Sequence, residues 1–193
     1  YHEEAIVPNK RVNVVLGVYT TTFARLRLYE LLESVGDNAI YTDTDSLVYY
    51  TTKEAKLPTG DYLGDLTDEL EAYGPGAYID EFVSGGPKNY SYRVFSPHTN
   101  TYHDVCKVKG ITLDFANSQR INFDVMKTLI NNIREHSVDD DKTPITVVYP
   151  KKITRKRRLD IVSERLEKKY EVVFKKRCLN HESLDSYPFG YRP

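Results

Sequence analysis

The sequence predicts an α+β chain built from antiparallel strands and a few packed helices. Three observations predict it. Small and apolar residues recur at helical spacing from Asn13 to about Ser34. Strand-prone runs then follow one another across tight turns, as in Ala39–Tyr41 and Leu47–Tyr50, and in Tyr78–Ser84 and Tyr90–Ser96. A second helical pattern, from Asn122 to about Glu135, comes after these strands.

Asn13 is placed to cap the first helix, and Gly36 to stop it. Val14, Gly17, Thr21, Ala24, Leu28, Leu31 and Val35 fall three or four apart and predict one buried stripe, with Arg25 and Arg27 off it. A tight turn leads into a hairpin whose tip is Thr42-Asp43-Thr44-Asp45-Ser46. Residues 53–64 read as loop, and Asp65 to Tyr73 as a short helix stopped by Gly74-Pro75-Gly76. The strand Tyr78–Ser84, the turn Gly85-Gly86-Pro87 and the strands Tyr90–Ser96 and Thr101–Val108 come next. Asn122 would cap the second helix, with Phe123, Met126, Leu129, Ile130 and Ile133 apolar. Residues 137–142 form a charged connection. Short strands are expected near Thr146–Tyr149, Arg158–Val162 and Tyr170–Phe174, and the tail is rich in turn residues.

With 193 residues and 40% hydrophobic content, the chain can bury a core in one large or two small domains. It starts at Tyr1 and its one Met is Met126, so it is expected to be part of a longer protein. Cys106 and Cys178 lack Cys-x-x-Cys spacing and read as reduced thiols of an intracellular protein. The longest apolar run, Val12 to Tyr19, is too short to cross a membrane, and no membrane partner is expected. Net charge is −1, but its distribution is uneven. From Lys151 to Arg177 twelve Lys and Arg face four acids, leaving +8 there and −9 elsewhere. That asymmetry points to a polyanion at one end and to metal or turn carboxylates at the other.

The pair Asp43 and Asp45 has two readings, a solvated turn, which a bare Asp-Thr-Asp favours, and a metal site, which the apolar flanks favour. On extended backbone, residues two apart point to one side. Two carboxylates so placed suit Mg²⁺, which takes one or two carboxylates together with substrate phosphates. This is the arrangement that two-metal phosphoryl or nucleotidyl transfer uses. Apolar flanking strands would hold the pair on a buried hairpin, where unpaired charge is costly without a cation.

The motif Tyr41-Thr-Asp-Thr-Asp-Ser46 resembles the Y-x-D-T-D-S motif of family B DNA polymerases. The preceding helix is similar to theirs across Tyr19–Leu32, and Phe82-Val-Ser-Gly-Gly-Pro-Lys88-Asn-Tyr90-Ser-Tyr92 resembles their K-x-Y motif with its glycine-proline lead-in. Leu63–Leu70 and Lys107–Leu113 look like the protein-primed branch, and within it the polymerases of Maverick/Polinton elements. The resemblance covers about Asn13 to Tyr191.

It implies a palm, residues 1–120, followed by a thumb-like subdomain, residues 121–193. It implies a DNA-directed DNA polymerase that uses Mg²⁺, with Mn²⁺ as an alternative ion. The implied partners are primer–template DNA, deoxynucleoside triphosphates and a terminal protein primer. By the same resemblance Asp45 is the catalytic metal ligand, Asp43 its partner, and Lys88 and Tyr90 touch DNA near the primer terminus. Lys is a compact cation for phosphate, and Tyr offers a ring face and a hydroxyl. The family's D-x-x-S-L-Y-P and K-x-x-x-N-S-x-Y-G motifs are not in this sequence, nor are its exonuclease carboxylates. The chain alone is therefore expected to bind metal weakly and catalyse little. A DNA-binding remnant without catalysis is the alternative.

Lys151, Lys152, Arg155, Arg157 and Arg158 carry three readings: contacts to duplex phosphates, a nuclear localisation signal, or a solvated basic face. Their position after the palm favours phosphate contact, and the nucleus stays open as a compartment. Tyr92 shares a strand face with Tyr90, with packing and DNA contact equally supported. Asp80 and Glu81 read as an exposed strand edge, with a further carboxylate near the metals as the alternative, Asp139-Asp140-Asp141 as a solvated linker, and the five His show no ligand spacing.

Overall fold

A computed structural model describes residues 12–53, 56–135, 144–156, 160–172, 177–180 and 186–188. The chain forms two compact units, Tyr1–Asp68 and Glu69–Pro193. The palm and thumb division expected at 120/121 falls inside the second unit's core.

In the first unit, helix α1 runs Val14–Val35. Asn13 caps it as expected, its side chain accepting the Leu16 N–H at 3.1 Å. Gly36, at φ +54, ends it and donates its N–H to Leu32 O. The expected stripe is buried only at its C-terminal end: Val35 is buried and Leu28 and Leu31 half-buried. Val14, Val15, Leu16 and Phe23 each expose 63–70% of their surface. A 22-residue helix is about 33 Å long. The hairpin that follows, β1 (Ala39–Asp43) and β2 (Ser46–Tyr49), covers only its end. The hairpin is antiparallel, with a register shift between Ala39 and Tyr41.

The helix expected over 65–73 does not form. Only Glu71–Tyr73 makes a single 3-10 turn. The Asp65 side chain instead accepts the Tyr62 N–H at 3.1 Å, and Leu66 bridges to Thr59. Such local side-chain bonds compete with helix.

In the second unit, β3 (Tyr78–Ser84), β4 (Tyr90–Ser96) and β5 (Thr101–Lys107) form an antiparallel sheet in sequence order. After a short α2 (Phe115–Ser118) comes α3 (Phe123–Glu135), with the Asn122 side chain accepting the Val125 N–H at 3.0 Å. Two long strands, β6 (Ile145–Arg155) and β7 (Ile161–Tyr170), then make an antiparallel ribbon. Short β8 (Arg177–Leu179) and β9 (Ser186–Pro188) pair with each other.

The ribbon replaces the short strands expected near 146–149, 158–162 and 170–174. Pro150 looks like a strand stop, yet it lies within a register shift between Tyr149 and Lys152, where the missing N–H breaks no ladder bond. Tyr170 is the end of β7, not the start of a strand. Arg158, the connection at 137–142 and most of the tail lie outside the described residues.

Ile121, Met126, Val147 and Tyr170 are buried together, with Val83, Cys106, Leu129 and Tyr149 packed around them. Sheet, α3 and ribbon thus share one core. Asn117, 2% exposed, ties α2 to β6 through bonds to Val148 O at 3.2 Å and from Val148 N–H at 3.4 Å. No helix among the described residues is long and apolar enough to cross a membrane.

Candidate functional site

The Asp43–Asp45 turn is tighter than the sequence predicts. Thr44 has φ +56, and the Asp45 N–H donates to Asp43 O at 2.6 Å across it. A bond between residues two apart, around a positive-φ centre, is the strained form of the γ-turn. For a β-branched residue such a φ is a genuine outlier. The surroundings hold it: the Thr44 hydroxyl donates to Asp43 Oδ1 at 3.1 Å, the Ser46 hydroxyl to Asp43 O at 3.1 Å, and the Thr42 hydroxyl to Ser46 O at 3.0 Å. The expectation that strand pleating aligns the two carboxylates fails, because the backbone reverses at Thr44 and Asp45 belongs to the turn. The expected burial fails too, since Asp43 is half-buried and Asp45 exposed. Short flanking strands, with Ile40 itself 52% exposed, provide no cover.

The donor set suits a hard cation: two carboxylates, with hydroxyls close by. Among the described residues no group of three or more His, Cys, Asp or Glu is placed to hold a metal. A cation held by this pair would have to take its remaining ligands from outside the two carboxylates.

In the second unit, the β3–β4 loop presents Lys88. Asn89 N–H donates to Gly86 O at 3.0 Å, with Pro87 second and Lys88 third in the turn. Lys88 has φ +59. Proline followed by a positive φ is the type II pattern, whose third position favours glycine. A lysine there costs about 1–2 kcal/mol in backbone strain. Lys88 is exposed and Tyr90 half-buried. The rings of Tyr90, Tyr92 and Phe82 lie nearly parallel with centroids 5.7–6.4 Å apart. Tyr92 is largely buried, and burial pushes its phenol up to about 12. Packing thus accounts for Tyr92.

Arg93, on the opposite face of β4, joins sheet to helix. It donates to both Asp104 oxygens at 2.7 and 2.9 Å and to Asp124 at 3.2 Å, and stacks over Phe123 at 4.4 Å. Its hydrogen bonds to Asp104, first of all, raise the guanidinium above its ordinary value. Glu81 takes an ion pair from Lys127 and sits 3.9 Å from Arg93, so cations account for it. Asp80 lines a shallow open groove with Glu81, Arg93, Tyr102 and Asp104.

The β6–β7 ribbon sorts the basic residues by face. Lys151 and Arg155 are exposed, whereas Lys152 is half-buried with its ammonium 5.3 Å from the Tyr149 ring centroid. Arg165 and Lys169, counted in the sequence only toward the basic charge, are exposed on one face of β7, where Arg165 pairs with Glu167 at 2.6 Å. The period-two pattern from Ile161 to Tyr170 would have revealed them. Lys156 is held by Glu164 at 3.0 Å, and that contact, first, holds the Glu164 carboxyl below its ordinary range. Arg157 and Arg158 lie outside the described residues. Comparison with protein-family models, with curated proteins and with solved structures gives no match for this chain.

Proposed function

We propose that the chain is the palm and thumb portion of a protein-primed family B DNA polymerase, and that it takes part in template-directed nucleotidyl transfer. The observation that carries this reading is the Tyr41–Ser46 motif on a strained two-residue turn, with both carboxylates at the tip. Strain held by surrounding hydrogen bonds is characteristic of functional sites. In this reading Asp45 is a metal ligand and Asp43 its partner. Mg²⁺ bound there would supply charge neutralisation to the phosphates of an incoming deoxynucleotide. Lys88 offers a cation to the DNA phosphate near the primer terminus, and Tyr90 lies beside it on β4. Lys151 and Arg155 hold the duplex by charge, with Lys152 turned toward Tyr149.

A second reading, DNA binding without catalysis, is favoured by the ribbon's exposed cations, which need no metal to hold a polyanion. Primer extension by the full-length gene product, on a defined primer–template with all four deoxynucleotides and Mg²⁺, separates the two. Chelator-sensitive, template-directed extension supports the polymerase. DNA binding with no extension in either Mg²⁺ or Mn²⁺ supports the second reading.

A further inference from the structure

The turn that presents Lys88 is held by a residue 81 positions away. Its backbone is closed by two bonds, Gly85 N–H to Asn89 O at 2.8 Å and Asn89 N–H to Gly86 O at 3.0 Å. The Asn89 side chain turns inward, leaving the residue only 8% exposed. Its Nδ2 donates to Gly85 O at 3.4 Å, and its Oδ1 accepts the Tyr170 hydroxyl at 3.2 Å. Gly85 has no room for a side chain: an added Cβ would lie 2.6 Å from Asn89 Nδ2 and 3.3 Å from Val172 Cγ1. Tyr170 is itself 4% exposed, fixed among Ile121, Met126 and Val147 at the end of β7 where it pairs with Ile145.

We propose that Asn89 and Tyr170 are positioning residues that lock the Lys88 turn onto the base of the basic β6–β7 ribbon, so that nucleic-acid phosphates meet turn and ribbon as one rigid surface. A left-handed lysine persists only where its surroundings over-determine it. The buried Asn89 amide, closed against Gly85 on one side and Tyr170 on the other, is that over-determination. Lys169, next to Tyr170 on β7, is exposed on the opposite face of the strand. This inference rests on the reading of Lys88 as a phosphate contact.

The test measures binding of the full-length gene product to a fluorescein-labelled primer–template duplex by anisotropy over a range of salt. Lys88→Ala, Tyr170→Phe and the double variant are compared with the parent. Loss of one phosphate contact lowers the log–log salt slope by about 0.9. Lys88→Ala is expected to show that loss, Tyr170→Phe to reproduce most of it, and the double variant to lose nothing more, since effects through one group do not add. Amide exchange at Gly85 and Asn89 should quicken in Tyr170→Phe while α3 stays protected. Asn89→Ala, which opens the lock from the turn side, should behave alike and serves if Tyr170→Phe fails to fold. A Tyr170→Phe protein with the parent's slope and affinity would overturn the proposal. So would an equal loss with and without Lys88, which is general destabilisation. An unchanged slope in Lys88→Ala would overturn the phosphate reading itself, and amide exchange would then report on the lock separately.

Discussion

Replacing Arg93 by alanine removes a side chain that bridges β4, β5 and α3. Its 24% exposure leaves the guanidinium mostly screened from water. The paired bonds to Asp104 are charge-assisted, a class worth about 1.5–3 kcal/mol. The stack on Phe123 adds about 0.5–1 kcal/mol. Asp124 is 76% exposed, so its contact adds about 0–1 kcal/mol. Arg93→Ala should therefore destabilise the second unit by about 2–5 kcal/mol. Arg93→Lys keeps the charge but loses the fork and should cost about half as much. Asp124→Asn should cost under about 1 kcal/mol. Urea unfolding followed by circular dichroism measures all three. Equal effects of Arg93→Ala and Asp124→Asn, or full rescue by lysine, would refute the bidentate argument.

Two further expectations follow from the charges. Glu164→Gln frees Lys156 for phosphate, so DNA binding should tighten at low salt and the log–log slope should steepen by up to about 0.9, measured by anisotropy. Burial holds the Tyr92 and Tyr170 phenols at about 12, above the ordinary value of about 10. Raised folded values mean that the fold favours the neutral phenols. Their contribution is full below about pH 10 and is lost as pH rises toward 12. Thermal melts between pH 9 and roughly 12 should show this loss, and Tyr170→Phe should flatten it.

Local signals were legible in the sequence, and distant ones were not. Asn13 and Gly36 bound α1 because a cap and a stop act within one turn of the helix. The strands on either side of Gly85–Asn89 were readable because turn residues separate two alternating runs. The strand expected near Thr146–Tyr149 continues through Pro150, because a bulge that tolerates proline depends on the register with β7. The ribbon's true length stayed hidden, and with it the shared face of Arg165 and Lys169. In the site, the identities of Asp43 and Asp45 were legible, but their geometry was not. The pleat argument assumes extended backbone, and Thr44 breaks it. Asn89 gave no signal of its own, because what makes it distinctive is a bond to Tyr170.

The most direct test of the central claim is Asp45→Asn in the full-length gene product, assayed in parallel for primer extension and for primer–template binding. The account predicts that extension is lost while DNA affinity and its salt slope stay as in the parent. Undiminished extension, or equal loss of extension and binding, would contradict the assignment of Asp45 as a catalytic metal ligand.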